Sequence, residues 1–222
     1  MALSANITIV TGTDTGVGKT VLTGLLVFYL RRTGVDAVAL KPFCSGSRAD
    51  ARHLRSMQDN ALTLDEINPF FFREPLAPLV AARKHRRKIS LERVVSFIQS
   101  HKREHVIVEG AGGLLTPLGE GFTILDVARG LGASLIIVAP NKLGVINQAL
   151  LTLRAAEGRA QVVLMRQKKQ DASAKSNCAI LGELIASNQV FDFPFLKPTI
   201  PLNAKTQRRR GAAKGWISGL VD

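Results

Sequence analysis

The chain has 222 residues, 46% of them hydrophobic and 21% charged, which is the composition of a globular protein and excludes a disordered or fibrous chain. This length suits a single domain over residues 1–222 with a buried core. The 30 lysines and arginines against 17 acidic residues give a net charge of +13. The longest apolar stretches fall short of the roughly 20 residues that a membrane span needs, so no membrane partner is expected.

The cysteine count and the first residues indicate a cellular compartment. The two cysteines, Cys44 and Cys178, are too few for a disulfide framework or a zinc cage. The first residues carry no basic region of the kind that begins a secretory signal. We therefore expect a reduced, cytoplasmic protein.

The positive charge is concentrated towards the end of the chain. The residues from Arg159 onward carry 11 basic against 4 acidic residues, and a basic tail begins at about Lys205. A nucleic acid partner would use such charge, because lysine and arginine displace counterions from phosphates. No helix-turn-helix, RNP or finger motif accompanies it, however, and only 5% of the residues are aromatic. Nucleic acid is therefore not expected, and a solvated basic surface that attracts small anions is favoured.

Short apolar runs alternate with stretches of helical periodicity. The predicted strands are Asn6–Val10, Ala37–Leu40, His105–Val108, Leu135–Val138 and Gln161–Leu164. The predicted helices are Val21–Arg32, Leu91–His101, Asn147–Glu157 and Ala174–Ser187. Because the strands are apolar at nearly every position, they fit a mainly parallel sheet with helices on both faces, a three-layer α/β sandwich. The proline-bounded segment Asn68–Pro78 is predicted to be an ordered surface connection.

The strongest motif is TGTDTGVGKT at Thr11–Thr20, between a predicted strand and a predicted helix. Its glycines let backbone amides converge on phosphate oxygens at a helix start. Lys19 would reach the β- and γ-phosphates, and the Thr20 hydroxyl would bind Mg²⁺. The strict phosphate-loop pattern would have glycine where Thr13 stands, one residue after Gly12. An incidental glycine-rich turn is the alternative, but the context favours a P-loop NTPase-like fold.

A second motif, VIVEGAGG at Val106–Gly113, ends an apolar strand with an acidic residue. Glu109 in that position would hold Mg²⁺ directly or through water. The glycines after it would let the chain pass close to the nucleotide. The alternative is a strand-end glutamate followed by a flexible turn.

The segment KPFCSG at Lys41–Gly46 follows the second predicted strand, on the edge of the sheet where ligands bind. Lys41 there would neutralise charge on a transferring phosphoryl group or an anionic intermediate. Asp50, nine residues later, would be a further oxygen ligand near Mg²⁺. It is equally the type of residue that caps a helix.

A fourth motif, PNKLGVIN at Pro140–Asn147, joins a buried strand to a helix. Free amides at that helix start would bind a carboxylate. The alternative is that Asn147 simply caps the helix.

These four motifs, in this order, resemble the dethiobiotin synthetase family, and the match runs from Thr11 to about Leu153. The resemblance implies a seven-stranded, mainly parallel sheet and a homodimer. It implies ATP-dependent, Mg²⁺-dependent ring closure of 7,8-diaminononanoate with CO₂ or bicarbonate, through a carbamate and a carbamic–phosphoric anhydride. As an alternative we considered a partitioning-type P-loop ATPase acting on DNA or membrane. Its signature lysine would stand at Asp14, which argues against it.

The resemblance also implies roles for individual residues. Lys19 and Lys41 would be catalytic, and Thr20, Asp50 and Glu109 would surround Mg²⁺. The residues expected to bind ATP are Gly16, Val17, Gly18, Lys19, Thr20, Val21, Asp50, Glu109, Gly110, Ala111, Gly112, Pro194, Phe195 and Leu196. Those expected to bind the diamine substrate are Ser45 and, across the dimer interface, Leu143, Gly144, Val145, Ile146 and Asn147.

One departure from the family concerns the nucleotide base. The family strand near Val162–Leu164 runs into an asparagine that contacts adenine, whereas Met165 and Arg166 follow here. Methionine has no amide donor and acceptor pair. ATP remains the expected nucleotide, with relaxed discrimination among bases as a hypothesis.

Overall fold

The computed structural model describes residues 6–196, so the basic tail from about Lys205 lies outside the described residues. The strands are β1 (Asn6–Gly12), β2 (Ala37–Leu40), β3 (Phe43–Ser45), β4 (Phe70–Phe72), β5 (His105–Gly113), β6 (Pro117–Gly119), β7 (Phe122–Thr123), β8 (Ser134–Asn141), β9 (Gln161–Arg166) and β10 (Val190–Phe193). The helices are α1 (Lys19–Arg32), α2 (Ala49–Met57), α3 (Leu64–Ile67), α4 (Pro78–Lys84), α5 (Leu91–Ser100), α6 (Ile124–Leu131), α7 (Val145–Ala155) and α8 (Asn177–Leu184).

A six-stranded sheet in the order β10-β9-β8-β1-β5-β2 forms the middle layer. Every pairing within it is parallel. The predicted three-layer fold with a mainly parallel sheet is confirmed. The family resemblance implies seven strands, and the sheet has six among the described residues.

Two apolar cores lie on opposite faces of this sheet. Successive strand residues point to opposite faces, so Ile9 packs in one core and Val10 in the other. Helices α1 and α2 cover the Val10 face through residues such as Leu22 and Leu54. Because both faces are buried, the strands are apolar at consecutive positions, which is the pattern that predicted them.

The segment Asn68–Pro78 is not the plain surface connection predicted from its prolines. It contains β4, which pairs in parallel with β3. Phe70 and Phe72 are buried in the core, and the ring of Phe70 stacks on that of Phe43 at 4.8 Å. Burial of two of three consecutive phenylalanines outweighs the turn signal of the flanking prolines.

All four predicted helices differ from the observed ones at one end or both, and α1 begins two residues earlier than predicted, at Lys19. Helix α7 begins at Val145 after Gly144, whose left-handed backbone (φ 90°) occupies the N-cap position, so Asn147 lies inside the helix and does not cap it. The predicted helix Ala174–Ser187 is divided into a 3-10 turn, Ala172–Lys175, and α8, which ends at Leu184. Among the described residues, no helix is long and apolar enough to cross a membrane.

Candidate active site

A cavity of about 700 Å³ opens at the carboxyl ends of the parallel strands. Ligands of open α/β sheets bind at this edge. Its wall combines the turn after β1, the β2–α2 connection, the loop before α4 and the end of β5. The predicted site residues in this wall are Gly16, Gly18, Lys19, Thr20, Val21, Lys41, Ser45, Asp50, Glu109, Ala111 and Gly112.

The loop between β1 and α1 has the backbone geometry of a phosphate cradle. Gly16 (φ 72°) and Gly18 (φ 106°) are left-handed, and no side chain caps the start of α1, which leaves its first amides for a ligand. A Cβ at Gly12 would lie 2.9 Å from the carbonyl oxygen of Asp14. Gly12 therefore lets the rest of this loop pack closely against the end of β1. The loop keeps its shape with Thr13 at the position where the strict phosphate-loop pattern has glycine. Val17 contributes only its backbone, because its side chain is buried beneath the loop.

Lys19 is folded against this cradle. Its Nζ donates to the carbonyl oxygen of Asp14 at 2.7 Å. Burial, together with the positive charge of Lys41, lowers the pKa of Lys19 to about 8. A phosphate anion in the cradle would oppose both effects, because a nearby negative charge favours the ammonium form of Lys19.

Glu109 connects the two sides of the cavity. Its side chain is 1% exposed, and its Oε1 accepts hydrogen bonds from Lys41 Nζ at 2.7 Å and Thr20 Oγ1 at 2.8 Å. Its Oε2 is buried without a hydrogen-bond partner. A buried carboxylate oxygen without a partner is costly, which points to a ligand that binds there.

Lys41 is held by three oxygen atoms. Besides Glu109, its Nζ donates to the carbonyl oxygen of Gly110 at 2.8 Å and lies 3.7 Å from Asp50 Oδ2. Burial disfavours the ammonium form, but the charge and hydrogen bond of Glu109 outweigh it and raise the pKa of Lys41 above its ordinary value. Lys41 is therefore a fixed positive charge at neutral pH. Gly110 contributes this carbonyl from outside the cavity lining.

The oxygen atoms of Thr20, Asp50 and Glu109 suit Mg²⁺ in kind, because this ion prefers hard oxygen ligands. The Oε2 atom of Glu109, which has no hydrogen-bond partner, is one available metal ligand. The described residues contain no group of three His, Cys, Asp or Glu side chains that would hold a metal alone. Asp50 lies in the first turn of α2, whose N-cap is Arg48, so Asp50 is not the cap residue.

Several cavity residues were missed from sequence. Ser45 was predicted, and its Oγ is buried without a partner. Thr15, Ser47 and Thr116 supply further hydroxyls, while Phe43, Cys44, Pro75, Leu76, Ala77 and Pro78 form a largely apolar wall. Burial raises the pKa of Cys44 to about 11, so it is a neutral thiol and not a nucleophile at neutral pH. Thr15, Phe43 and Cys44 lie within two of the motifs but were given no role there, and the others come from separate segments outside the motifs.

Pro194–Leu196 lie outside this cavity, immediately after β10. Near them, Met165 at the end of β9 packs against the phosphate loop, and its Cε would lie 3.1 Å from a Cβ at Gly18. Arg166 forms an ion pair with Asp192. The base-binding role of these residues stays a prediction.

The segment Leu143–Asn147 also lies outside the cavity. Asp171 Oδ2 accepts from the Leu143 amide at 2.8 Å, and the Val145 amide donates to the Lys142 carbonyl at 3.1 Å. The amides of Gly144, Ile146 and Asn147 have no partner among the described residues. Leu143 itself is 79% exposed. Amides remain available for a carboxylate, which stays a prediction.

Comparisons with known proteins identify the family. A family profile described as "AAA domain" matches residues 7–191. The chain is 39% identical to the ATP-dependent dethiobiotin synthetase BioD of Akkermansia muciniphila over 85% of this chain and 96% of that protein. It is 40% identical to the protein of the same name from Anaeromyxobacter dehalogenans strain 2CP-1, over 89% of this chain and 93% of that protein. This chain belongs to the ATP-dependent dethiobiotin synthetase family.

A solved structure supports the fold of this dethiobiotin synthetase family member. The pNOB8 ParA protein, solved bound to nonspecific DNA, superposes with a TM-score of 0.61 over 98% of this chain and 97% of that one. The sequence identity is 12%, so the likeness concerns the fold alone. The predicted resemblance to dethiobiotin synthetases is thereby confirmed by sequence, and the P-loop fold by structure.

Proposed function

We propose that this protein uses ATP to close the ureido ring of dethiobiotin from 7,8-diaminononanoate and CO₂. The observation that carries this proposal is the convergence of Lys19, Lys41 and Glu109 on one cavity beside a phosphate cradle. Two ammonium groups at a phosphate site suit transfer of a phosphoryl group to an anionic acceptor, because this chemistry depends mainly on positioning and charge.

The reaction balances in three steps. One amine of the diamine adds to CO₂ and loses a proton, giving a carbamate. A carbamate oxygen attacks the γ-phosphorus of ATP, releasing ADP and forming a carbamic–phosphoric anhydride. The second amine attacks the carbamoyl carbon, expels phosphate and loses one proton, which closes the ring and leaves one N–H on each ureido nitrogen.

Each charged residue has a role in these steps. Lys19 would stabilise the β- and γ-phosphates, and Lys41 the carbamate and the phosphoryl group that it receives. Mg²⁺ near Thr20, Asp50 and Glu109 would neutralise phosphate charge when bound. Ser45, whose buried Oγ lacks a partner, would contact the diamine.

We further propose a homodimer in which the Leu143–Asn147 segment of one subunit binds the substrate carboxylate of the other. The free amides of Gly144, Ile146 and Asn147 support this, since amides at a helix start attract anions. Leu143 and Leu151 are exposed apolar side chains that a partner would cover. Light scattering would give the mass, and Leu143→Asp should dissociate the dimer and raise KM for the diamine. A monomeric parent protein would contradict this assignment.

The decisive experiment is product detection. The protein is incubated with 7,8-diaminononanoate, bicarbonate and Mg²⁺ together with ATP, GTP, CTP or UTP in turn, and dethiobiotin is detected by mass spectrometry. We expect product with ATP, none without bicarbonate, and no stimulation by DNA. Nucleotide hydrolysis that depends on DNA and not on the diamine would refute the proposal. We place the enzyme in the cytoplasm, in keeping with its two unpaired cysteines.

A further inference from the structure

A buried amide side chain, Asn68, joins the end of β2 to the start of α2. Its Nδ2 donates to the carbonyl oxygens of Lys41 at 2.9 Å and Pro42 at 3.0 Å. Its Oδ1 accepts from Nε of Arg48 at 3.0 Å. Asn68 is 1% exposed and does not line the cavity, so it does not contact a ligand there.

Arg48 fixes the other side of this junction. It donates to the carbonyl oxygens of Leu64 at 2.8 Å and Asn68 at 2.9 Å, and to Asp65 Oδ1 at 2.7 Å. Its guanidinium also lies over the ring of Phe71, 5.4 Å from the centroid. Because Arg48 is the N-cap residue of α2, this network anchors the helix turn that carries Asp50.

The backbone around Asn68 adds two more links to the same place. The Lys41 amide donates to the carbonyl of Ile67 at 3.0 Å, and the Phe70 amide donates to that of Pro42 at 3.0 Å. The peptide groups on both sides of the Lys41 Cα are therefore held by hydrogen bonds from the turn around Asn68. The Lys41 ammonium and Asp50 carboxylate, 3.7 Å apart, are both positioned from it.

We propose that Asn68 is a positioning residue, which sets where the Lys41 ammonium lies relative to Asp50 and Glu109. The proposal rests on the function proposed above, in which Lys41 acts on the transferring group. A displacement of about 1 Å of a catalytic group can lower a rate about 10²-fold. Release of the Lys41 and Pro42 carbonyls is therefore expected to lower turnover without altering the separate phosphate cradle.

The test compares two buried amide residues that each follow a helix and bind the backbone of β2 or of the two residues after it. Asn68→Asp keeps an acceptor for Arg48 but loses both N–H donors to the strand end. Gln58→Leu is the matched control, because Gln58 is fully buried and makes two hydrogen bonds of 3.0 Å to the backbone of Ala39. We expect Asn68→Asp to lower kcat about 10²-fold with an unchanged KM for ATP. Gln58→Leu should keep kcat near that of the parent at a comparable loss of stability.

A double-mutant cycle with Lys41→Met separates positioning from general destabilisation. If Asn68 acts through Lys41, then Asn68→Asp should lower kcat no further in the Lys41→Met background. Additive losses, or equal effects of Asn68→Asp and Gln58→Leu, would overturn the role of Asn68 alone. A Lys41→Met variant with the parent's turnover would overturn the proposed role of Lys41 and this inference with it. If Asn68→Asp does not fold, Arg48→Met enters the same cycle with the same expectations.

Discussion

The Nζ atom of Lys41 lies 2.7 Å from Oε1 of Glu109, and both side chains are almost completely buried. Removing one member of such a pair leaves the other charge in a medium that solvates it poorly. Glu109→Ala should therefore lower the free energy of unfolding by about 3–5 kcal/mol, measured by urea denaturation. The double variant Lys41→Met/Glu109→Met should recover much of this loss. A loss below about 1 kcal/mol, the usual value of an exposed pair, would show that water reaches the pair.

Lys19→Ala should lower turnover by roughly 10²–10³-fold, the effect of losing one donor that stabilises transition-state charge. Dethiobiotin formation at saturating diamine measures it. Lys102→Ala is the matched control, because that lysine is exposed and outside the cavity. Activity close to that of the parent in a folded Lys19→Ala protein would refute the phosphate-loop assignment.

Lys41→Ala should impair turnover far more than it impairs nucleotide binding. Lys41 follows β2, outside the phosphate loop, and its Nζ donates to Glu109 and Gly110. Single-turnover kinetics and the dissociation constant for ATP, measured separately, distinguish the two effects. An unchanged turnover number would remove Lys41 from the reaction.

ATP affinity should decline as the pH rises above about 8, because the free protein has a Lys19 whose pKa is lowered to about 8 by burial and by Lys41. Phosphate binds the ammonium form, so binding at higher pH requires proton uptake. Calorimetric titrations between pH 7 and 10 test this, with Lys19→Met expected to bind weakly and without that dependence. An affinity for the parent that is constant over this range would contradict the lowered pKa.

Gly18→Ala should abolish ATP binding. Gly18 has φ 106°, and an added Cβ would lie 3.1 Å from the Met165 side chain. Gly34→Ala is the control, since Gly34 also has a positive φ (94°) but open space around it. Both variants should lose about 1–2 kcal/mol of stability, but only Gly18→Ala should lose nucleotide binding in a fluorescence titration. Equal binding by both would mean that the loop tolerates distortion.

Five of the six strands of the central sheet and the chemical motifs were predictable from sequence because they depend on local patterns, whereas the edge strand β10 was not predicted. Ile9 and Val10 point into different cores, so consecutive residues of β1 are apolar, and this pattern is visible in the sequence. Gly18-Lys19-Thr20 is likewise visible because its residues are contiguous. The left-handed cap at Gly144 was missed because asparagine at position 147 is the commoner capping type.

Residues that act through tertiary contacts were not predictable. Asn68 and Arg48 are 20 positions apart and meet only in the folded chain, and neither belongs to a recognisable motif. Helix α2 has buried apolar residues at helical spacing, Ala51, Leu54 and Met57, but it is only nine residues long and strongly polar on average. Helix α3 is four residues long. Neither helix was predicted from sequence. Phe70 and Phe72 are buried by their pairing with β3, which proline-bounded sequence alone does not indicate.

The glycine turns after α1 and α7 lie at the amino ends of the parallel strands, opposite the cavity. Gly34 and Gly158 both have open space around them. An affinity handle, a fluorescent dye or a fused reporter inserted at either turn would project away from the chemistry. The enzyme could thus be immobilised on a support with its substrate entrance facing the solution.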